Sequence, residues 1–593
     1  METTLPFPRA GQTMSPGRVR LCLAALVLYA LAMGLPYLGA APLASHEALI
    51  GMRTRSLMNE GGWVLPYTLY PSTDRYPLGQ PDVRKPSLPF WIAGGLSALA
   101  GEVNEWTLRL PSVLAALGTM LLLVAWVRRA VGWRTALVTG LAAAASVMVM
   151  QWGRRAEVDM QLCFWTTLSL TAFYFGFDEP GRPRQVRWFL VMWVALGLAV
   201  LAKGPFPLAF WAIGGPLYAL LSRQARRLKD ILPLVGPLVM LAVAAPWVTL
   251  VMMRLAGEGM SPAEVLAAWQ QQSVERYAGS FGHEKPFYYY LLEEPILWMP
   301  WLLPVVIGIF LAFRRAALSP RERMFLIVWG LGGLAVLSFG TGKRLYYALP
   351  VTPPFLVFAG LGLDYLVFGL PERLPKPARL LLVLHWFAVP AILAGAIVAV
   401  AHLPKYELPL ALLGVLGACG LAAVLSLYRD GRRVAALLTF AAVMLAAVVL
   451  GTAAVAAPLV AESEEGAALG RAVAAQATQA GRATQAGDGE VAFYGATDDT
   501  VLFYARRNGP VFFKPEQVAR WLAEHPRGLV VAEKGPPLEE LLRLCRLEPV
   551  PVSQESATEA DWPSVILTAS PDPGWPPAPG VPSTESAQKE SRP

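Results

Sequence analysis

The sequence predicts a polytopic, all-α membrane protein with a small α/β domain towards its C-terminal end. Composition, block length and loop charge all point this way. Of 593 residues, 55% are hydrophobic and only 16% charged, against about 45–50% and about 25% in soluble globular chains. The apolar residues gather in blocks of about 20, the length that crosses a bilayer as a helix. The short segments after alternate blocks are basic, as the cytoplasmic loops of membrane proteins are.

The blocks fall near 21–41, 108–127, 135–151, 158–176, 187–202, 205–222, 231–253, 291–313, 324–340, 346–367, 379–402, 408–427 and 434–458, about thirteen transmembrane helices in all. The first block is too long for a typical signal peptide and reads as a span. The N-terminal tail, residues 1–20, holds Arg9, Arg18 and Arg20. With that tail in the cytoplasm, every loop that falls inside is basic. Arg128, Arg129 and Arg134 lie in one, Arg223, Arg226, Arg227 and Lys229 in another, Arg429, Arg432 and Arg433 in the last. This orientation puts two long loops, 42–107 and 254–290, on the outer face, with everything after the last span.

The chain therefore divides into the tail 1–20, a transmembrane domain 21–458, an Ala/Gly/Gln-rich linker 459–489, a domain 490–566 and a Pro/Ser-rich disordered tail 567–593. Within the outer loop 42–107, a helix is expected from His46 to Asn59 and an interfacial helix from Leu88 to Leu99. In 490–566, strand-like runs (Val491–Tyr494, Gly528–Ala532) alternate with helix-like runs (Pro515–Glu524, Leu538–Cys545), which predicts α/β structure.

The net charge of +8 belongs to the basic loops. No basic, aromatic-interleaved face accompanies it, so nucleic acid is excluded as a partner. Of four cysteines, Cys22, Cys163 and Cys419 lie in apolar blocks and Cys545 stands alone. Neither a disulfide framework nor a zinc site is indicated.

Charges at a membrane boundary are costly and draw attention. His46 and Glu47 follow the first span. They read either as a helix N-terminus capped by Ser45 or as a carboxylate serving as general base or metal ligand. Arg154, Arg155, Glu157 and Asp159 crowd one rim. Asp159 either caps its helix or reaches into the site. Arg84-Lys85 precedes the interfacial helix, where Arg grips phosphate bidentately and Lys acts as a point charge. Lys203 sits between two apolar blocks. Lys343-Arg344-Leu345-Tyr346-Tyr347 stands at the outer end of another, and Arg276, His283 and Lys285 lie in the second long loop. Snorkelling to headgroups is the plain alternative for the lysines. Carboxylates together with many cations suit a lipid-phosphate substrate with a group to transfer.

In order along the chain stand His46-Glu47-Ala48, Gly61-Gly62-Trp63-Val64-Leu65-Pro66, Arg84-Lys85-Pro86-Ser87-Leu88-Pro89-Phe90-Trp91 and Glu105 to Pro111. Arg155-Ala156-Glu157-Val158-Asp159-Met160, Leu201-Ala202-Lys203-Gly204-Pro205, His283 to Tyr290, Met299-Pro300-Trp301 and Lys343 to Pro350 follow. In this order and spacing the chain resembles the bacterial glycosyltransferases of the aminoarabinose (lipid A) transferase and dolichyl-phosphate-mannose–protein mannosyltransferase superfamily. The resemblance covers roughly residues 20–370 and implies the GT-C fold. Two positions depart from it. His46 stands where the family often has Asp, which leaves the carboxylate role to Glu47. Arg84 stands where the aminoarabinose transferases have a metal-associated Glu.

The resemblance implies a membrane glycosyltransferase that moves a sugar from a polyprenyl-phosphate donor to an outer-face acceptor, whether a lipid A-like lipid, a protein or a glycan. It implies Glu47 and Asp159 as catalytic carboxylates. Lys85, Arg84, Lys203, Arg276, His283, Lys285, Lys343 and Arg344 would bind the donor phosphate. His46, Arg155, Glu157, Tyr346 and Tyr347 rank second. A divalent metal (Mg, Mn or Zn) on Glu47, Asp159 and His283 is the candidate cofactor. The setting is the bacterial inner membrane, among its lipids, with the N-terminus cytoplasmic and the site and C-terminal domain extracytoplasmic. The alternative is a non-catalytic polyprenyl-phosphate-sugar transporter or flippase. It would favour inverted repeats, and none is evident.

Overall fold

A computed structural model describes residues 14–59, 61–68, 80–83, 85–270, 284–314, 317–371, 376–479, 491–495, 498–506, 509–525, 528–545, 547–550 and 564–569. They form two compact units. The first comprises Met1–Ala40 and Val83–Pro458, the second Ala41–Asp82 and Leu459–Pro593.

The first unit is built of helices, and every apolar block of the sequence contains helix. Among the described residues, eight helices are long and apolar enough to cross a membrane, or up to ten if each bent pair is one span. The bent pairs are Tyr289–Trp298 with Leu302–Arg314, turning by 103°, and Leu345–Val351 with Pro353–Gly369, turning by 67°. Leu88–Ala100 is a shorter apolar helix, as the sequence predicts.

Two kinds of surface show what solvent this unit meets. Its centre is filled by aromatic and aliphatic side chains such as Trp126, Phe173, Phe189, Tyr218, Phe325 and Trp329. Its later helices leave large apolar side chains uncovered, among them Val383, Leu384, Phe387, Ile397, Leu408 and Leu412. Ala388–His402 buries no residue at all. Such continuous apolar surface is stable only against lipid.

Small residues let helices approach closely where lipid gives no hydrophobic drive between them. A Cβ on Gly308 would collide with the Phe358 carbonyl, and one on Gly362 with the Pro304 carbonyl. Helices Leu302–Arg314 and Pro353–Asp364 therefore pack backbone to backbone. Gly308→Val is expected to lose about 1–3 kcal/mol by overpacking, seen as a lower melting temperature in detergent.

Several basic loop residues also cap helices. Arg433 donates to the carbonyls of Leu370 and Pro371 at 2.6 and 2.5 Å, and Arg323 to that of Ala312 at 2.9 Å. Arg134 forms a two-pronged pair with buried Asp364 at 2.8 and 2.9 Å. Carbonyl groups at helix C-termini lack partners, and a cation there also meets the favourable end of the helix dipole.

The second unit contains the helix Ser45–Asn59, a two-stranded ribbon of β1 (Tyr67–Thr68) and β2 (Gln80–Pro81), and a five-stranded sheet. The sheet strands are β3 (Val491–Tyr494), β4 (Val511–Phe512), β5 (Leu529–Glu533), β6 (Leu547–Pro549) and β7 (Ser564–Ala569), in the order β4-β3-β5-β7-β6. β3 pairs in parallel with β4 and β5, while β7 runs antiparallel to β5 and β6. Parallel neighbours require crossovers, supplied by helices Asp499–Ala505 and Pro515–Glu524. All four residues of β3 are buried, as in a sheet covered on both faces.

The structure corrects two sequence boundaries. Part of the expected linker is the helix Glu465–Gln479, whose alanine content favours helix. The last strand runs to Ala569, past the expected start of the tail at 567, because pairing with β5 and β6 holds it. The rest of that tail, 570–593, lies outside the described residues.

Candidate active site

In the first unit a carboxylate and an ammonium meet at two helix ends. Asp159 opens the helix Asp159–Asp178, and Lys203 closes Arg182–Lys203. The Lys203 ammonium donates to Asp159 Oδ1. The side chains are 3% and 18% exposed, so the pair is largely out of water. Each charge suits its helix end, an anion at the N-terminus and a cation at the C-terminus. The chain turns at once after Lys203 because Gly204 takes φ 79°, a conformation open to glycine.

Two phenols complete the cluster. Lys203 Nζ lies 4.4 Å from the Tyr347 ring centroid and 5.5 Å from that of Tyr346, within reach of a cation–π attraction. Arg344 donates to the Tyr346 hydroxyl at 2.8 Å. The three motifs that carry Asp159, Lys203, and Arg344 with the tyrosines are far apart in sequence and share one polar cluster.

The strip that carries Arg344 and the tyrosines is held on two sides. On one, Glu284 bridges to Gly342, and the Lys343 ammonium donates to the carbonyls of Lys285, at 3.0 Å, and Gly340. Lys343 is 4% exposed, and burial lowers the pKa of its ammonium. On the other side, the Tyr290 hydroxyl donates to the Arg344 carbonyl at 3.1 Å. Glu294, fully buried, accepts from Thr352 Oγ1 at 2.8 Å and Trp298 Nε1 at 3.1 Å. The sequence reading missed Glu294. An acid inside an apolar block was the available signal. Glu294→Gln keeps an acceptor for both donors and is expected to fold normally. Glu294→Leu strands the Trp298 donor, while Thr352 Oγ1 keeps the Ala348 carbonyl at 3.1 Å, and is expected to cost about 1–3 kcal/mol, measured as lost thermal stability.

The rim charges divide by role. Arg154 donates to the carbonyls of Met33, Gly34 and Pro36 at 2.9, 3.1 and 2.6 Å and so caps the first span. Arg155 is exposed, with its guanidinium 3.9 Å from the carboxylate of buried Glu157. Lys85 is half-buried, and Lys285 is exposed.

Glu47 belongs to the second unit. It is 6% exposed. It lies in the first turn of Ser45–Asn59, where its Oε2 faces the Ala44 N–H at 3.4 Å, a long version of the reach from the third helical position back to the cap. His46 beside it is half-buried. The same helix is anchored by Arg53, whose Nε donates to buried Asp82 at 2.7 Å. Burial, then the carboxylates of Asp498 and Glu47, raise the pKa of Glu464.

Comparison with known proteins narrows the class. A family model described as dolichyl-phosphate-mannose–protein mannosyltransferase matches residues 84–249. An undecaprenyl phosphate-α-4-amino-4-deoxy-L-arabinose arabinosyl transferase of Pseudomonas aeruginosa (strain UCBPP-PA14) is 30% identical over 350 residues, 56% of this chain and 58% of the relative. Its namesake from Aeromonas salmonicida (strain A449) is 28% identical over 324 residues, 53% and 55% of the two chains. The chain thus spans little more than half the length of the curated relatives it matches. The crystal structure of ArnT from Cupriavidus metallidurans bound to undecaprenyl phosphate has a TM-score of 0.73 at 20% identity, covering 94% of this chain and 100% of that one. The likeness to that structure is one of fold.

The family-model match contains Lys85, Arg155, Glu157, Asp159 and Lys203, while Lys343 to Tyr347 lie beyond it. Of the site residues expected from the sequence, Arg84, Arg276 and His283 lie outside the described residues. Among the described residues, no group of three His, Cys, Asp or Glu side chains fits a metal ion. Asp159 has a lysine for its partner. His283, the third member of the expected metal set, lies outside the described residues.

Proposed function

We propose that the protein is a membrane glycosyltransferase that takes a sugar from a polyprenyl phosphate. The observation that carries this reading is the Asp159–Lys203 pair, flanked by Tyr346, Tyr347 and Arg344 within a GT-C fold. The relatives' names, with their undecaprenyl-phosphate-linked donor, support the substrate class.

In this reaction an acceptor oxygen attacks the anomeric carbon of the sugar. The bond to the phosphate oxygen breaks, and the polyprenyl phosphate leaves with the electron pair. Lys203 and Arg344 neutralise the leaving phosphate, with Lys85 and Lys285 as further cations. Arg84, Arg276 and His283 keep their sequence assignment to the same task. Lys343 keeps its sequence assignment to the donor phosphate, and its carbonyl contacts also hold the strip. Asp159 fixes the direction of the Lys203 ammonium. Glu47 takes up or orients the acceptor's proton.

The same reading has about thirteen spans in the bacterial inner membrane, the N-terminus in the cytoplasm, and the site and C-terminal domain outside. Its support is the basic inner loops of the sequence. The acceptor is a lipid A-like lipid, a protein or a glycan. The test is transfer in liposomes with a panel of radiolabelled polyprenyl-phosphate sugars and envelope extract as acceptor. Label moving from lipid into product is expected. Label that crosses leaflets unchanged, with none in product, would replace the enzyme by a flippase.

A further inference from the structure

We propose that Tyr504, in the C-terminal α/β domain, is a positioning residue for the Glu47 carboxylate. This rests on the catalytic reading of Glu47 given above. It gives the C-terminal domain a part in the transfer reaction.

Two consecutive backbone amides lead into the helix that carries Glu47. The Leu43 N–H donates to the Tyr504 hydroxyl at 2.8 Å, in a buried setting. The next N–H, that of Ala44, faces Glu47 Oε2 at 3.4 Å. Tyr504 therefore fixes the amide adjoining the one to which the carboxylate reaches. The second contact is long, and where its amide lies is set by how the segment Leu43–Ala44 is held. Leu43 and Tyr504 are 0% and 6% exposed. Water cannot readily take over the phenol's place there.

The phenol is itself held. The Arg471 guanidinium lies 4.7 Å from the centre of its ring. The helix Asp499–Ala505 presses against Glu465–Gln479 at Gly470, where a Cβ would stand 2.8 Å from Tyr504 Cβ and 2.6 Å from the Val501 carbonyl oxygen. The neighbouring residue grips the other end of the Glu47 helix. Arg55 donates to the Phe503 carbonyl at 3.0 Å and lies 4.5 Å from the centre of its ring. Consecutive residues Phe503 and Tyr504 thus hold the chain just before Ser45 and, ten residues on, at Arg55. Core packing of the sheet domain uses the ring of residue 504. The hydrogen bond to Leu43 uses its hydroxyl.

The experiment is steady-state transfer by the full-length protein in liposomes, for wild type, Tyr504→Phe, Glu47→Asp, Glu47→Gln and the double variant Glu47→Asp/Tyr504→Phe. Loss of one buried hydrogen bond to the guiding segment is expected to lower kcat about tenfold, with donor KM within about twofold. In the Glu47→Asp background, where the carboxylate is already displaced, Tyr504→Phe is expected to cost less than about twofold, since residues acting as a unit are not additive. Equal losses in both backgrounds would show that Tyr504 acts independently of Glu47 and would overturn the proposal. Wild-type kcat for Tyr504→Phe alongside an inactive Glu47→Gln would overturn it too, while leaving Glu47 catalytic. Full activity of Glu47→Gln would remove the reading beneath it.

Discussion

Asp159→Asn is expected to lower sugar transfer about 100- to 1,000-fold with little change in expression or melting temperature. Asparagine fills the same space at the start of the helix and still offers an oxygen to Lys203. What it lacks is the charge that directs the ammonium. Lys203 would keep its place over Tyr347 and Tyr346, free to follow the donor phosphate in the ground state. Donor KM is therefore expected to stay level or fall while kcat drops, the pattern of an interaction needed only in the transition state. Lys203→Ala should behave differently. It leaves a buried carboxylate unpaired, a change that costs up to about 3–5 kcal/mol. Lower folded yield and weaker donor binding should accompany its loss of activity. The double variant removes both charges and is expected to regain stability without regaining transfer. Transfer above a tenth of wild type in Asp159→Asn, measured in liposomes at matched protein level, would reduce the pair to a staple between two helices.

The membrane helices were legible because their signal is long and repeated. A block of about 20 apolar residues has few readings, and the basic loops between blocks repeat the message. The strands Val491–Tyr494 and Leu529–Glu533 were legible for a similar reason, since a run of β-branched and aromatic residues bounded by turn formers suits a buried strand. Ser564–Ala569 was not read as a strand because its role comes from its partners. It pairs with β5 and β6 across long stretches of chain. Glu465–Gln479 looked like a connector by composition. Packing of Gly466 and Gly470 against the Asp498–Ala505 segment, visible only in three dimensions, makes it part of the second unit.

The candidate site was legible as a set of residues and illegible as an arrangement. Asp159, Lys203, Arg344, Tyr346 and Tyr347 stood out because charges and phenols are sparse near apolar blocks. Nothing in their spacing says that Lys203 pairs with Asp159, 44 positions away. Charge alone also failed to sort binding groups from structural ones. Arg154, a rim charge in the sequence, and Lys343, read there as a phosphate ligand, both donate to backbone carbonyls. A carbonyl left open at a helix end or in a turn attracts a cation as a phosphate does.

Glu47→Gln carries the other large effect. Transfer is expected to fall about 100- to 10,000-fold, the range for removing a general base. Glutamine has almost the same shape, and its amide oxygen can still face the Ala44 N–H. The helix Ser45–Asn59 also keeps its buried Arg53–Asp82 pair and its hold on Phe503. The variant should therefore melt like wild type, which separates lost chemistry from lost structure. Donor binding, read by competition with polyprenyl phosphate, should be unchanged, because the cations assigned to the phosphate remain. A carboxylate used only as a helix-end anion predicts the opposite pair of results. Removing it would cost about 0.3–1 kcal/mol of stability and leave transfer intact. Measuring kcat and melting temperature on the same preparation decides between the two roles.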